Sequence, residues 1–143
     1  MFSIIIPTFN NLEYLKILIN SLKRNSKFKN EIILHVNEGA DGTIQYVKEN
    51  NIKHTYTKNN VGLCTATNLA ASKATSNYIL YSHDDMYFCP DWDQFLMNEI
   101  SNLNTNAYYI SGTMIEKSSG HIQLDCGNDF KDFDEEKLLR EHK

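Results

Sequence analysis

The sequence predicts an α/β fold, a single α/β/α domain around a mostly parallel sheet over residues 1–143. Short apolar runs rich in β-branched residues alternate with segments whose apolar residues recur at helical spacing, the order that βαβ units require. The 143 residues are enough for one domain with a sizeable core. The last long apolar run, residues 78–82, ends abruptly in a histidine and two aspartates, and charged groups of this kind must lie at the end of a buried strand.

Composition excludes several classes of protein. A hydrophobic fraction of 41%, a charged fraction of 22% and a net charge of −4 are ordinary for a globular protein and give no reason to expect nucleic acid or an anionic membrane as partner. The cysteines Cys64, Cys89 and Cys126 are scattered and lack metal-ligand spacing, so we expect free thiols and a cytoplasmic location. No apolar run is long enough for a transmembrane segment, and the run after Met1 is short and lacks a basic leader, so we expect neither a transmembrane segment nor a signal peptide.

The first elements follow from local pattern. Residues 2–7 are apolar and β-branched and predict a buried strand that Pro7 stops. Asn10 or Asn11 is the expected cap of the next helix, whose leucines and isoleucine recur at helical spacing over residues 15–22. Residues 31–36 predict the second strand.

The middle of the chain repeats this alternation. Asp41 is the expected cap of a helix over residues 43–50, and residues 52–57 predict a short strand. Residues 63–74 are rich in alanine and predict a helix that packs close to a sheet. The strand at residues 78–82 follows.

The last part is less regular. Pro90 begins a predicted helix in which Trp92 and Phe95 are expected to be buried, and residues 107–115 are a further strand candidate. After Gly120 no period is clear until a short charged helix over residues 134–143, with Asp134 as its cap. His121 and Asp125, in the irregular stretch, are expected to be surface polar groups.

Four polar or aromatic segments follow the predicted strands. In an open parallel sheet the carboxyl ends of the strands form the edge where ligands bind. The segments that fall there are residues 7–10, 37–39, 59–62 and 83–85. We therefore expect these four loops to meet in one site.

His83, Asp84 and Asp85 allow two interpretations. They can hold a divalent cation that neutralises a diphosphate, with one acid on the metal and the other on a ribose hydroxyl. They can equally be a solvated turn in which an aspartate caps the next helix. An imidazole ligand would favour Mn²⁺ over Ca²⁺.

The other three loops also have two interpretations each. Phe9 can stack on a nucleotide base or belong to the core, and Asn37 with Glu38 can contact a base edge or form a capped turn. Gly62 can bring a helix amino terminus to a phosphate or a sugar, or can simply permit tight packing. No dinucleotide-binding or NTPase glycine motif is present.

Taken together, these segments resemble the family 2 glycosyltransferases of the GT-A fold, a Rossmann-like fold. The matching stretches are Ser3-Ile4-Ile5-Ile6-Pro7-Thr8-Phe9-Asn10, Val36-Asn37-Glu38-Gly39-Ala40-Asp41-Gly42-Thr43, Asn60-Val61-Gly62 with Asn68, and residues 78–90 with an Asp-x-Asp-like loop. Each motif is loose, but their order and spacing together are specific. The resemblance covers residues 2–115.

The resemblance implies a transferase that binds a nucleotide-diphosphate sugar with Mn²⁺ or Mg²⁺ and moves the sugar to a saccharide or other hydroxyl acceptor. By position, Asp85 would hold the metal, with His83 in place of the first acid of the motif, and Asp84 would bind ribose. The resemblance favours UDP-sugars, with GDP- or dTDP-sugars possible. Asn37 stands where the family usually has an aspartate that accepts from the uracil N3–H, and its amide can accept there without charge and can also donate. The full set of positions implied to bind the nucleotide sugar is Pro7, Thr8, Phe9, Asn37, Glu38, Gly62, Asn68 and Asp84.

The resemblance does not extend to a general base. We find no counterpart among Glu116, Asp125, Asp129 and Asp132, so the catalytic residues stay unknown and we expect a partial domain that lacks the acceptor side. A non-catalytic sugar-nucleotide-binding or assembly module, which could pair with a second copy through an open sheet edge, is the alternative. A sugar-phosphate nucleotidyltransferase would have a glycine-rich loop after the first strand. A receiver domain would have a pair of acids at the same place. The sequence has neither there.

Overall fold

The structure is a computed structural model that describes residues 1–142. Its strands are β1 (Phe2–Phe9), β2 (Glu31–Asn37), β3 (Lys53–Thr57), β4 (Tyr78–Tyr81), β5 (Ile115–Glu116) and β6 (Ile122–Gln123). Its helices are α1 (Leu12–Asn25), α2 (Thr43–Glu49), α3 (Leu63–Ala71), α4 (Trp92–Ser101) and α5 (Glu135–Glu141).

The main sheet has the order β3-β2-β1-β4, and every neighbouring pair in it is parallel. A helix connects each strand to the next, so the predicted α/β fold with a parallel sheet is confirmed. Because all four strands run the same way, their carboxyl ends lie along one edge. The short strands β5 and β6 form a separate parallel pair.

Strand β1 continues through Pro7 to Phe9, two residues beyond the predicted stop. It pairs with β2 as far as Phe9 and Asn37, but its register with β4 ends at Ile5 and Tyr81. At Pro7 the strand therefore has β2 alone as a neighbour, and a residue without an N–H is tolerated there.

The core lies on both faces of the sheet. On one face Ile4 and Ile6, with their neighbours on β2, pack against α1, α2 and Trp92 of α4. On the other face Ile5 and Ile33 pack against Ala70 of α3. This gives three layers, and α3 packs close to the second face of the sheet, as the alanine-rich sequence predicted.

Two predictions for the second half of the chain are wrong. Residues 107–114 form no strand, and regular structure resumes only at Ile115. This stretch is mostly exposed, and among the described residues its backbone meets a strand only at Met114, whose carbonyl accepts from the Ile122 N–H of β6. Phe95 is 65% exposed instead of buried. The stripe of α4 that contacts the core runs through Trp92, Leu96 and Ile100, a four-residue spacing that turns Phe95 to the outside.

The tail packs back onto α1 and the loop after β4. The Phe130 ring lies 5.3 Å from that of Tyr14 and the Phe133 ring 5.4 Å from that of Tyr87, between centroids. Asp134 caps α5 by accepting from the Lys137 amide, which confirms that prediction; Lys143, the last residue of the predicted helix, lies outside the described residues.

Within residues 1–142 no helix combines the length and apolar character needed to cross a bilayer.

Candidate functional site

A cavity of about 330 Å³ opens at the carboxyl ends of β1, β2 and β4, beside the start of α3. All four predicted loops contribute to it. Its lining consists of Pro7, Thr8, Phe9, Asn10, Asn11, Asn37, Asn60, Gly62, Leu63, His83 and Asp84.

The end of β1 supplies one wall of the cavity. Phe9 is 47% exposed, so its ring is not in the core and is free to contact a ligand. Thr8 is buried beside it, and its hydroxyl has no hydrogen-bond partner among residues 1–142. A buried hydroxyl without a partner is unfavourable, and a ligand in the cavity is one way to satisfy it.

The turns after β1 and β2 hold each other in place. Asn10 and Glu38 both adopt left-handed backbone conformations, with φ of 48° and 62°, and the Asn10 amide donates to the Glu38 carboxylate over 2.7 Å. The Asn10 side-chain oxygen accepts from the Ala40 N–H over 2.9 Å. Gly39 follows with φ of 70°, and a Cβ there would lie 2.8 Å from Val36. Glu38, predicted to contact the nucleotide, is turned towards Asn10 and does not line the cavity.

Asn37 ends β2 and is 4% exposed at the floor of the cavity. Its side-chain oxygen Oδ1 accepts from the Val61 N–H over 3.0 Å and from the Thr57 hydroxyl over 3.3 Å. The loop after β3 is thereby attached to the end of β2.

His35 lies buried below Asn37, between two threonines of β3. Its Nδ1 is 2.7 Å from the Thr55 hydroxyl and its Nε2 is 3.1 Å from the Thr57 hydroxyl. Burial lowers the pKa of His35, opposed by a hydrogen bond with Asn37, so the neutral imidazole is favoured. Since the Thr57 hydroxyl donates its proton to Asn37, it accepts from His35 Nε2–H, and Nδ1 accepts from Thr55.

Gly62 precedes α3 with φ of 80°, a conformation that favours glycine. The Asn60 side chain accepts from the Gly62 N–H over 2.9 Å and shapes this turn. The amino end of α3 thus borders the cavity. Asn68, also predicted as a nucleotide contact, lies exposed in the second turn of α3 and is not part of the lining.

The residues after β4 diverge. His83 and Asp84 line the cavity, and Asp84 accepts from the Asn11 amide over 3.0 Å. Asp85 instead lines a second cavity of about 320 Å³ between α1 and the tail, together with Tyr14 and Phe130. Consecutive acids therefore face different spaces.

Asn11 occupies the cap position of α1, as one of the two residues expected there. The prediction that its side chain caps the helix is wrong. Its side chain makes no capping hydrogen bond and instead holds Asp84. The first free N–H of α1, that of Leu12, donates over 2.8 Å to Asp41, which also accepts from the Thr43 N–H of α2. The 73-residue separation of Asn11 from Asp84 explains why no local pattern indicates this contact.

No group of three or more histidine, cysteine or carboxylate side chains that could hold a metal ion occurs in the described part of the chain. His83, Asp84 and Asp85 supply only part of a coordination sphere. Mg²⁺-like ions are commonly held by one or two carboxylates together with substrate phosphates and water. Because His83 and Asp84 line the first cavity and Asp85 the second, these residues offer a cation one carboxylate in each space, and its other ligands would have to come from a diphosphate and water.

The sequence and the structure were compared with those of known proteins. No curated protein matches the chain. Staphylococcus aureus TarS 1–349 has a related structure, with 25% identity and a TM-score of 0.58 over 69% of this chain and 31% of TarS. The same protein in complex with UDP has 23% identity and a TM-score of 0.64 over 79% of this chain and 38% of that one.

A third structure is the mannosyltransferase PcManGT from Pyrobaculum calidifontis in complex with GDP-Man and Mn²⁺, with 19% identity and a TM-score of 0.59 over 73% of this chain. The chain spans 31% to 38% of the chain in each of these three structures, which represent two proteins. These likenesses agree with the GT-A fold. The model of the family described as Glycosyl transferase family 2 matches residues 3–141, and the chain belongs to that family.

Proposed function

We propose that this domain binds a nucleotide-diphosphate sugar in the cavity at the carboxyl ends of the strands and serves transfer of the sugar to a hydroxyl acceptor. The observation that carries the proposal is the convergence of four loops on one cavity that contains an exposed aromatic ring, an unpartnered threonine hydroxyl and a carboxylate. These groups suit, in turn, a base, a polar ligand atom and a sugar hydroxyl. A saccharide is one acceptor class that fits the family.

The base would lie between Phe9 and Leu63, both exposed at the cavity rim, with Asn37 below it. Asp84 would accept from the ribose hydroxyls, because Asn11 holds one of its oxygens and leaves the other for a ligand. The diphosphate would then extend towards the residues after β4.

The cation would be Mn²⁺ or Mg²⁺ held by Asp85, with His83 beside it, and it would neutralise charge on the departing diphosphate. His83 is also in contact with Tyr81, whose hydroxyl lies 3.4 Å from Nε2. PcManGT, which binds GDP-Man and Mn²⁺, and TarS, which binds UDP, support this class of ligand for the present chain. The free thiols Cys64, Cys89 and Cys126 support the proposed cytoplasmic location.

Calorimetry with UDP, CDP, GDP and dTDP, each with and without Mn²⁺, tests the proposal. We expect at least one nucleotide to bind in the presence of Mn²⁺ and to bind more weakly in its absence. Mn²⁺ without nucleotide should bind weakly, because the described residues offer the ion too few ligands. Absence of binding by all four nucleotides would disprove the proposal.

Variants then separate the two acids. Asp85→Asn should remove most of the gain that Mn²⁺ provides, and Asp84→Asn should weaken binding with and without the metal. Glu99→Gln, the same loss of charge on an exposed position of α4, is the control and should bind as the unaltered protein does. If Asp85→Asn kept the full metal dependence, the assignment of the metal to Asp85 would be wrong.

A further inference from the structure

The polarity of Asn37 determines what the cavity floor can recognise. In the register of the sheet Asn37 lies opposite Phe9, so an amide and an exposed ring stand next to each other at the ends of β2 and β1. A base placed against the Phe9 ring would bring one of its edges to Asn37. This step rests on the proposed nucleotide-binding function.

The orientation of the Asn37 amide follows from its partners. The Val61 backbone N–H can only donate, so the Asn37 atom that faces it at 3.0 Å must be the oxygen. The opposite orientation would point an NH₂ group at an N–H. The backbone of the loop after β3 therefore decides which end of the amide faces the cavity.

The Thr57 hydroxyl reinforces this orientation. The Thr57 hydroxyl also donates to Asn37 Oδ1, over 3.3 Å. Its oxygen in turn accepts from the Nε2–H of the neutral His35. The side-chain hydrogen bonds of Asn37 within residues 1–142 thus end on Oδ1, which leaves the amide nitrogen Nδ2 with two N–H groups to offer a ligand. The nearby carboxylate of Glu38 accepts from Asn10 and does not line the cavity.

The two common pyrimidines differ at the atom that such a donor would meet. Ring nitrogen N3 carries a hydrogen in uracil and a lone pair in cytosine. A fixed N–H donor therefore pairs with cytosine N3, whereas it leaves uracil N3–H facing another donor without a partner. A buried polar group left unpaired is the strongest source of discrimination available to such a site.

We propose that Asn37 makes the cavity selective for a cytidine nucleotide over a uridine nucleotide, with His35 and Thr57 as positioning residues for the amide. This inference replaces the uracil preference expected from the sequence resemblance. Its physical basis is that Oδ1, the acceptor that uracil would need, is already occupied by the protein.

Calorimetry of the full 143-residue chain with CDP and with UDP, both in saturating Mn²⁺, gives the direct test. We expect CDP to bind about tenfold more tightly, the ratio for one mispaired hydrogen bond of about 1.4 kcal/mol. Equal affinities, or tighter binding of UDP, would overturn this inference and leave the proposed function standing. Binding of none of the four nucleoside diphosphates in the panel would overturn both.

Asn37→Asp is the decisive variant. It keeps an oxygen for Val61 and Thr57 and replaces the Nδ2 donor by a second acceptor, so the preference should reverse in favour of UDP. Asn60→Asp introduces the same charge at the same cavity while its retained oxygen still accepts from Gly62, and it should shift both affinities together and keep the CDP-to-UDP ratio. An unchanged ratio in Asn37→Asp would contradict the inference. If the added charge unfolds the domain, Asn37→Ser is the second variant. It lacks Nδ2, so the ratio of CDP to UDP affinity should come close to one. A retained preference for CDP in Asn37→Ser would also contradict the inference.

Discussion

At the scale of single residues, the Glu31 carboxylate connects several elements outside the cavity. At the amino end of the sheet its carboxylate accepts from the Ser3 hydroxyl, from the Thr75 N–H and hydroxyl, and from the Lys53 ammonium. Burial acts to raise the pKa of Glu31, but these hydrogen bonds outweigh it and lower the pKa to about 2. One side chain thus joins β1, β2, β3 and the turn before β4.

We predict that Glu31→Gln lowers the free energy of unfolding by about 2–3 kcal/mol at pH 7. The pKa is lower in the folded state than its ordinary value of 4.5, so this stability is complete above pH 4.5 and is lost as the pH falls towards 2. Urea unfolding at pH 7 and pH 3 measures it, and the difference between the two proteins should shrink at pH 3. Glu13→Gln, which alters an exposed ion pair with Lys16, is the control and should cost under about 1 kcal/mol. A difference independent of pH would contradict the assigned role.

At the scale of elements, the two faces of the sheet are covered unequally. On the face that α3 covers, Ile5 of β1 is fully buried, whereas Ile79 of the edge strand β4 is 60% exposed. The helix lies over the centre of the sheet and leaves the edge strand open. An isoleucine therefore contributes very differently in two neighbouring strands.

We predict that Ile5→Ala lowers the free energy of unfolding by about 2–5 kcal/mol, because it leaves a cavity under α3. Ile79→Ala should cost less than about 1 kcal/mol, because most of that side chain is in water in the folded state too. Urea unfolding of both variants is the measurement. Equal losses would mean that Ile79 is covered in solution.

Helix α4 is held by a buried acid in its first turn. Asp93 is fully buried, and its two oxygens accept from the Lys27 and Phe28 N–H groups and from the Asn30 amide. Asp93 thereby joins α4 to the connection between α1 and β2.

Asp93→Ala should lower the free energy of unfolding by about 2–4 kcal/mol, since three donors lose their acceptor at once. Thermal unfolding compares it with Gln94→Ala, a neighbouring change on α4 that removes only a hydrogen bond with Asn98 and should have little effect. A similar melting temperature for both variants would show that water replaces the carboxylate.

At the scale of the whole molecule, the carboxylates of the tail are engaged away from the cavity where we place the donor. Glu116 accepts from Ser119, Asp125 pairs with Lys117, and Asp132 accepts from the Asn128 amide. None of these three residues lines that cavity. Glu116 and Asp129 instead line the second cavity, which Asp85 also lines. None of the four candidate bases among the described residues therefore lines the cavity where we place the nucleotide.

We predict that the 143-residue chain binds its donor with Mn²⁺ but does not transfer the sugar measurably. Chromatographic detection of the released nucleoside diphosphate, with a nucleotide sugar and a saccharide acceptor present, is the measurement. The expected rate equals that of the solution without protein. Release that depends on both acceptor and protein would contradict the prediction, and replacement of Glu116, Asp125, Asp129 and Asp132 in turn by the amide would then test whether one of them acts as the base.

Much of the fold could be predicted because local periodicity reports burial. The middles of β1 and β2, residues 4–6 and 32–34, are apolar because both faces of the sheet are covered there. The four main strands were predicted within two residues of their ends. The strand expected over residues 107–115 is wrong except at Ile115, because an apolar, β-prone stretch forms a strand only where a neighbour is available. Phe95 is exposed for a related reason, since spacing alone does not show which side of an amphipathic helix meets the sheet.

The parallel α/β fold and the four loops at one edge could be predicted from the sequence, because the alternation of apolar strands with helices and the polar residues at the strand ends are local signals. Only the tertiary structure decided how single atoms face the cavity. Val61, distant from Asn37 along the chain, turns the amide oxygen inwards, and Asn11 holds Asp84 while Asp85 faces another cavity. Hydrogen-bond polarity depends on partners that the fold brings together, and no local pattern of residue types encodes that choice.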